Sequence, residues 1–298
     1  MNNWINDTQA LLDVPAQAPH HALNRRGLLK SSLGVGYALA AMPIMAQTAI
    51  KTDAQGLDVG EVVIKVGNDQ VPVYRARPAQ STNAPVVLVI SEIFGVHDYI
   101  ADVARRLAKA GYYAMAPDLF MRQGDPSSYG EIAKLNAEVI SKVPDAQVMG
   151  DLDACVEFAA TEGADTQRLA ITGFCWGGRI TWLYAAHQPK LKTAVAWYGR
   201  LVGQTNAFQT AHPLSLAAQV KVPVLGLYGG EDTGIPVSTV DQMKQALAKA
   251  PGAASRSEFV IYPQAPHAFH ADYRGTYRAD AAQDGWQRML AWFKKYGV

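Results

Sequence analysis

Apolar positions along this chain follow two periods. Val62, Ile64 and Val66 alternate with polar neighbours, Gly67, Asn68 and Asp69 supply turn residues, and the alternation resumes over residues 71–77. A period of two broken by turn residues predicts a β-hairpin. Pro72 has no N–H to give a ladder, so it predicts an edge position for the second strand. Residues 86–90 are apolar without interruption, as in a strand buried on both faces. The period then switches. Ile100, Val103, Ala104 and Leu107 keep helical spacing up to Gly111, Ile132, Leu135 and Val139 mark a second helix, and Val148, Leu152, Cys155, Val156 and Ala159 a third. Extended runs at 112–116 and 169–172 fall between helices, and a helix runs from Trp176 to about His187. Residues 193–198, 222–228 and 258–262 read as three more strands, with a helix on Val240, Met243 and Leu247 between the last two. Trp286, Met289, Leu290 and Phe293 form the buried face of a final helix.

Strands separated by helices of this length predict βαβ units. The fold class is therefore α/β, a mostly parallel central sheet with helices on both faces and an antiparallel hairpin at its N-terminal end. In such sheets the reactive site lies beyond the carboxyl ends of the strands.

The first 50 residues break this pattern. Residues 1–23 are polar and irregular, and Asn24-Arg25-Arg26-Gly27-Leu28-Leu29-Lys30 precedes a run of small and apolar residues, 31–46. Paired arginines ahead of a modest apolar run describe a twin-arginine export signal. The run contains Gly34, Gly36 and Pro43 and is too short for a stable membrane anchor. Residues 1–50 are thus expected to be signal and linker, read by the twin-arginine export machinery, and 51–298 a single domain. The expected location is periplasmic or exported, and cytoplasmic if the leader is not used.

Composition narrows the function. The 298 residues carry 27 basic and 26 acidic side chains, a formal net charge of +1, which offers no electrostatic footprint for nucleic acid. Two cysteines make no disulfide framework, and no Cys/His group has structural zinc spacing. Neither a metal nor an organic cofactor is expected.

The chemistry sits just after the strands. Gly173-Phe174-Cys175-Trp176-Gly177-Gly178 follows one strand, Gly229-Gly230-Glu231-Asp232 another, and Pro266-His267-Ala268-Phe269-His270 a third, while Ser91-Glu92-Ile93-Phe94-Gly95 follows the strand ending at Ile90. Nucleophile, acid and histidine in that order, each after its own strand, is the chain order of an α/β-hydrolase triad. Cys175 stands where a G-x-S-x-G elbow has its serine, with Gly173 and Gly177 two residues either side. The helix beginning at Trp176 points its N-terminus at the sulfur, which favours thiolate. The backbone N–H groups of Trp176 and Ile93 are the expected oxyanion donors. Glu231 competes with Asp232 for the acid, and His270 with His267. His97, His187 and His212 read as surface or capping residues, and Cys155, on an apolar helix face, as core.

EIFGVH (92–97), PDLF (117–120), GFCWGG (173–178), GGEDTGIP (229–236) and APHAFH (265–270) together resemble the dienelactone hydrolase family, from about Val59 to Val298. The resemblance implies a triad of Cys175, His267 and Asp232 that opens a small-molecule lactone or ester through an acyl-enzyme. It also implies that Glu92 contacts the resting thiol and is displaced when substrate binds, helping to generate the thiolate. Family members that open dienelactone hold its carboxylate with arginines. Arg122, Arg179, Arg200 and Arg274 lie near the presumed site loops, and none falls on a transferable motif position. Two other readings use the same residues: a thioesterase or peptide hydrolase on the same triad, and a non-catalytic redox-sensing or binding scaffold marked by a Cys155–Cys175 disulfide.

Overall fold

The structure, a computed structural model, describes residues 50–298; the paired arginines and the apolar run after them lie outside the described residues. The hairpin is β1 (Leu57–Val66) against β2 (Asp69–Pro78), in register from Leu57↔Pro78 to Val66↔Asp69. It leads into β3 (Pro85–Ile90), β4 (Tyr113–Pro117), β5 (Asp165–Phe174), β6 (Leu191–Trp197), β7 (Val224–Gly229) and β8 (Glu258–Tyr262). All eight form one sheet in the order β1-β2-β4-β3-β5-β6-β7-β8. From β4 to β8 the neighbours are parallel, and β1–β2 and β2–β4 are antiparallel.

The helices are α1 (Asp98–Lys109), α2 (Ile132–Glu138), α3 (Asp145–Thr161), α4 (Trp176–His187), α5 (Val237–Ala248) and α6 (Ala279–Lys295). Helices α3 and α4 lie side by side, joined where Tyr184 Oη donates to Asp153 Oδ1 at 3.0 Å. Helices α1 and α6 cover the other face, where the ring of Tyr112, in the turn after α1, stands edge-on to Phe293 of α6. Val86 to Ile90 are sealed between these layers at 0% exposure. Each such aliphatic side chain contributes roughly 1.5–3 kcal/mol of burial. That seal makes the strand ends a firm platform for the loops that follow them. Among the described residues no helix is long and apolar enough to cross a membrane.

Three details differ from the sequence expectation. Strand β2 is interior, because β4 pairs along its second side from Val73↔Pro117 to Ala76↔Ala114. Pro72 is tolerated because it lies one residue past that ladder: its carbonyl accepts from Asp118 N–H at 2.8 Å, and its missing donor points the same way. Strand β5 runs on to Phe174, paired with Trp197, so only Cys175 separates strand from helix. Helix α6 buries Gly285, Met289, Trp292 and Phe293, while Trp286 and Leu290 flank that face half-buried.

Candidate active site

Cys175 connects β5 to α4 with φ 56 and ψ −114, a left-handed backbone that side chains rarely adopt. The turn closes so tightly that a Cβ on Gly173 would sit 2.3 Å from Gly177 O, and one on Gly177 2.4 Å from Ile90 O. The two glycines are therefore required by backbone approach, and together they push the Cys175 side chain out of the sheet. The Cys175 N–H donates to Trp197 O at 3.0 Å, anchoring the elbow to β6. Cys175 is also the N-cap of α4 without filling that position with its side chain. Trp176, the first residue of the helix, has an N–H with no acceptor within the helix. Ile93 is buried in the loop after β3.

The loop after β7 places its two carboxylates differently. Asp232 is buried at 4% exposure while Glu231 is exposed. Asp232 Oδ1 accepts from the N–H groups of Gly234 and Ile235, at 3.0 and 3.1 Å, and Oδ2 pairs with His267 Nδ1 at 2.7 Å. Burial disfavours the imidazolium, but Asp232 and then Cys175 outweigh it and raise the His267 pKa well above the ordinary value. His267 Nε2 is buried with no partner in hydrogen-bond geometry, so the sulfur acts on the ring through charge and proximity. His270 is turned away. It shares a 2.6 Å hydrogen bond with Tyr99 through Nδ1 and lies among Phe174, Trp197 and Trp286, where burial lowers its pKa to about 3.

Glu92 is where the structure departs most from the resemblance. Among the described residues no hydrogen bond joins it to Cys175; its Oε2 accepts from Tyr273 Oη at 2.6 Å instead. His97 Nε2 stands 3.8 Å from the same oxygen, too far for a hydrogen bond and close enough for charge to count. Burial pushes the carboxyl up, yet His97, Arg274 and the Tyr273 hydroxyl together hold it down at about 2. A carboxylate whose folded pKa lies below its ordinary 4.5 adds stability that is present above that value and lost as pH falls toward 2. The stability advantage of the native protein over Glu92→Gln is therefore expected to shrink by up to about 1.4 kcal/mol per pH unit across that window. Urea unfolding at stepped pH reads this directly, and a difference that stays constant with pH would contradict it.

The arginines separate cleanly. Arg122 is bidentate to buried Asp151 at 2.8 and 2.9 Å and reaches Asp69 at 2.5 Å. Arg179 is bidentate to Asp145 and donates to Ala211 O. Both forks are occupied in bracing the fold. Arg200 is half-buried beside Asp232, and burial lowers its pKa. Of the four, Arg274 is the one whose charge is coupled to Cys175. Its guanidinium lies 4.8 Å from the Phe94 ring centroid, donates from Nε to Tyr273 Oη, and has its charge reinforced by Tyr273, Glu92 and Cys175.

Sequence reasoning missed His97 and Tyr273, which hold Glu92, and Tyr198, whose ring stands edge-on to His267 at 5.1 Å. Tyr198 follows β6 and so obeys the rule that located the other loops. His97 is an uncapped N-cap against Tyr273, and His212 lies buried under the loop it caps, with Nε2 at 3.0 Å from Gln204 O; only His187 is on the surface, paired with Asp153. Cys155 is buried, and both cysteines are free.

Comparison with known proteins agrees with this architecture. The model of the dienelactone hydrolase family matches residues 71–297. A protein of Methylorubrum extorquens named as a candidate carboxymethylenebutenolidase is 57% identical over 287 residues, covering 96% of this chain and 98% of its own. A protein of a Bradyrhizobium species named as a candidate 2-oxo-3-(5-oxofuran-2-ylidene)propanoate lactonase is 33% identical, covering 74% of this chain and 88% of its own. The crystal structure of a candidate dienelactone hydrolase from Klebsiella pneumoniae is 54% identical at a TM-score of 0.78, covering 80% of this chain and 99% of its own.

Proposed function

The chain belongs to the dienelactone hydrolase family and is a carboxylic ester hydrolase of the α/β-hydrolase fold, and from that premise we propose that it cleaves a lactone or carboxylic ester through Cys175, His267 and Asp232 and a thioester acyl-enzyme. One observation carries the reading: the buried Asp232–His267 pair, whose ring is perturbed by the cysteine on the strained elbow.

In this mechanism the Cys175 thiolate attacks the carbonyl carbon, and the resulting oxyanion is held by the N–H groups of Trp176 and Ile93. Collapse of the tetrahedral adduct breaks the C–O bond. The imidazolium of His267 protonates the departing alkoxide, which in a lactone stays tethered to the acyl group. His267, now neutral and held by Asp232, takes a proton from water as that water attacks the thioester. The acid leaves, and Cys175 recovers its electron pair. Glu92, kept ionised by its neighbours, and Arg274 set the charge around the sulfur. Arg274 is also the best placed of the four arginines to meet an anionic group on the substrate.

Residues 51–298 are read as the catalytic unit and 1–50 as a twin-arginine leader that directs it to the periplasm; the paired arginines at 25 and 26 support this. The test is mass spectrometry of the protein quenched during turnover of a lactone and ester panel. The expected result is a mass increase equal to the acyl group on the peptide holding Cys175. An adduct on any other residue would overturn the mechanism.

A further inference from the structure

Three residues other than glycine hold a left-handed backbone among the described residues: Cys175 at φ 56, Tyr198 at φ 38 and Ala268 at φ 59. Such positions cost about 1–3 kcal/mol each and persist only where surrounding structure over-determines them. Cys175 is on the elbow and Ala268 is next to His267. Tyr198 directly follows β6 at the same carboxyl end of the sheet, and the mechanism above gives it no part.

Its backbone is clamped. The Tyr198 N–H donates to Leu227 O at 2.8 Å, and a Cβ on the next residue, Gly199, would sit 2.3 Å from the Gly178 carbonyl carbon in α4. The ring is 0% exposed, edge-on to His267 and packed on Phe269 at 5.2 Å. Yet its hydroxyl has no hydrogen-bond partner among the described residues. The two comparable phenols nearby are both engaged, Tyr99 with His270 and Tyr273 with Glu92. Tyr99 acts on Tyr198 through charge and as a loose hydrogen-bonding neighbour, with the two hydroxyls standing outside strict hydrogen-bond geometry. A buried hydroxyl left unpaired costs about 1–3 kcal/mol, which makes this one a donor without an acceptor in the resting protein.

The geometry points to Tyr198 as a hydrogen-bond donor reserved for the negative charge that forms on Cys175, its hydroxyl stabilising the thiolate sulfur. This rests on Cys175 being the nucleophile. Burial first, and then Tyr99, Glu92 and Cys175, keep the phenol protonated, as a donor must be. The ionisable groups around this hydroxyl and the sulfur are His267, Glu92, Tyr99 and Arg274, so the variant must change the hydroxyl alone. Tyr198→Phe does so and keeps the strained backbone and the ring packing.

The experiment follows alkylation of the full chain by iodoacetamide against pH, together with kcat/KM for a small ester and thermal unfolding. In Tyr198→Phe the midpoint of the Cys175 alkylation profile is expected to rise by about one pH unit, tenfold less thiolate at a given pH. The value of kcat/KM is expected to fall on the order of 100-fold, as for loss of one preorganised donor. Because an unsatisfied polar atom is removed, Tm should hold or rise, a combination that a packing role would not produce. An unchanged alkylation profile overturns the inference, as does a lowered Tm in a variant that loses activity. Failure of iodoacetamide to modify Cys175 in the native protein would instead sink the nucleophile assignment.

Discussion

Cys175→Ala is expected to reduce kcat/KM for a small activated ester by roughly 10⁴-fold or more, while the folded protein still binds the substrate. The physical reason is that the elbow does only one thing. Its strained φ of 56 and its two flanking glycines serve to hold a sulfur clear of the sheet, at the head of α4 and next to His267. Removing that atom leaves the backbone donors and the binding surface, so the residual rate is what positioning and oxyanion stabilisation supply without a nucleophile; for a triad that acts as a unit, the loss is of the order 10⁴–10⁶. Alanine also relieves nothing and opens no core cavity, because the side chain is only half-buried, so the unfolding midpoint should change little. Steady-state kinetics on material checked for native circular dichroism reads the effect. Turnover within tenfold of the native protein would mean that another group carries the covalent step.

Asp232→Asn is the second large effect, and it is the sharper test of geometry. The carboxylate holds Nδ1 of His267 at 2.7 Å, which in the proposed mechanism leaves Nε2 to exchange protons with the sulfur and the leaving group. An amide of the same size can keep the contact but can present N–H rather than oxygen to the ring, reversing the tautomer, and it no longer offsets the positive imidazole. A loss of about 10⁴-fold in kcat is expected, with KM changing far less. Glu231→Gln, one residue away and exposed to solvent, should leave kcat unchanged. If instead Glu231→Gln were the crippling substitution, the assignment of the acid would be wrong.

Much of this site was legible before any coordinates. Strand ends can be found from hydrophobic periodicity, because a strand buried on both faces must be continuously apolar and a helix on one face must repeat at its own period. Once the strand ends are known, Cys175, Asp232 and His267 fall in the loops beyond them. The glycines at 173 and 177 are equally legible, because close backbone approach leaves them no alternative. Pro72 shows the limit of the same logic. Its missing N–H is plain from the sequence, but whether a ladder reaches that far depends on where β4 stops, and β4 is about forty residues downstream.

What the chain determined by itself is therefore whatever is written in local period and local sterics: the α/β alternation, the elbow and the order of the three candidate residues. What only the tertiary structure decided is which distant groups meet. Glu92 hydrogen-bonds Tyr273 across 181 residues, His270 is locked to Tyr99 across 171 residues, and Arg274 rather than Arg122 or Arg179 is coupled in charge to Cys175. Those outcomes depend on charge pairing and packing in a buried space shared by several loops. There a carboxylate takes the best donor within reach, and no spacing along the chain records which donor that will be.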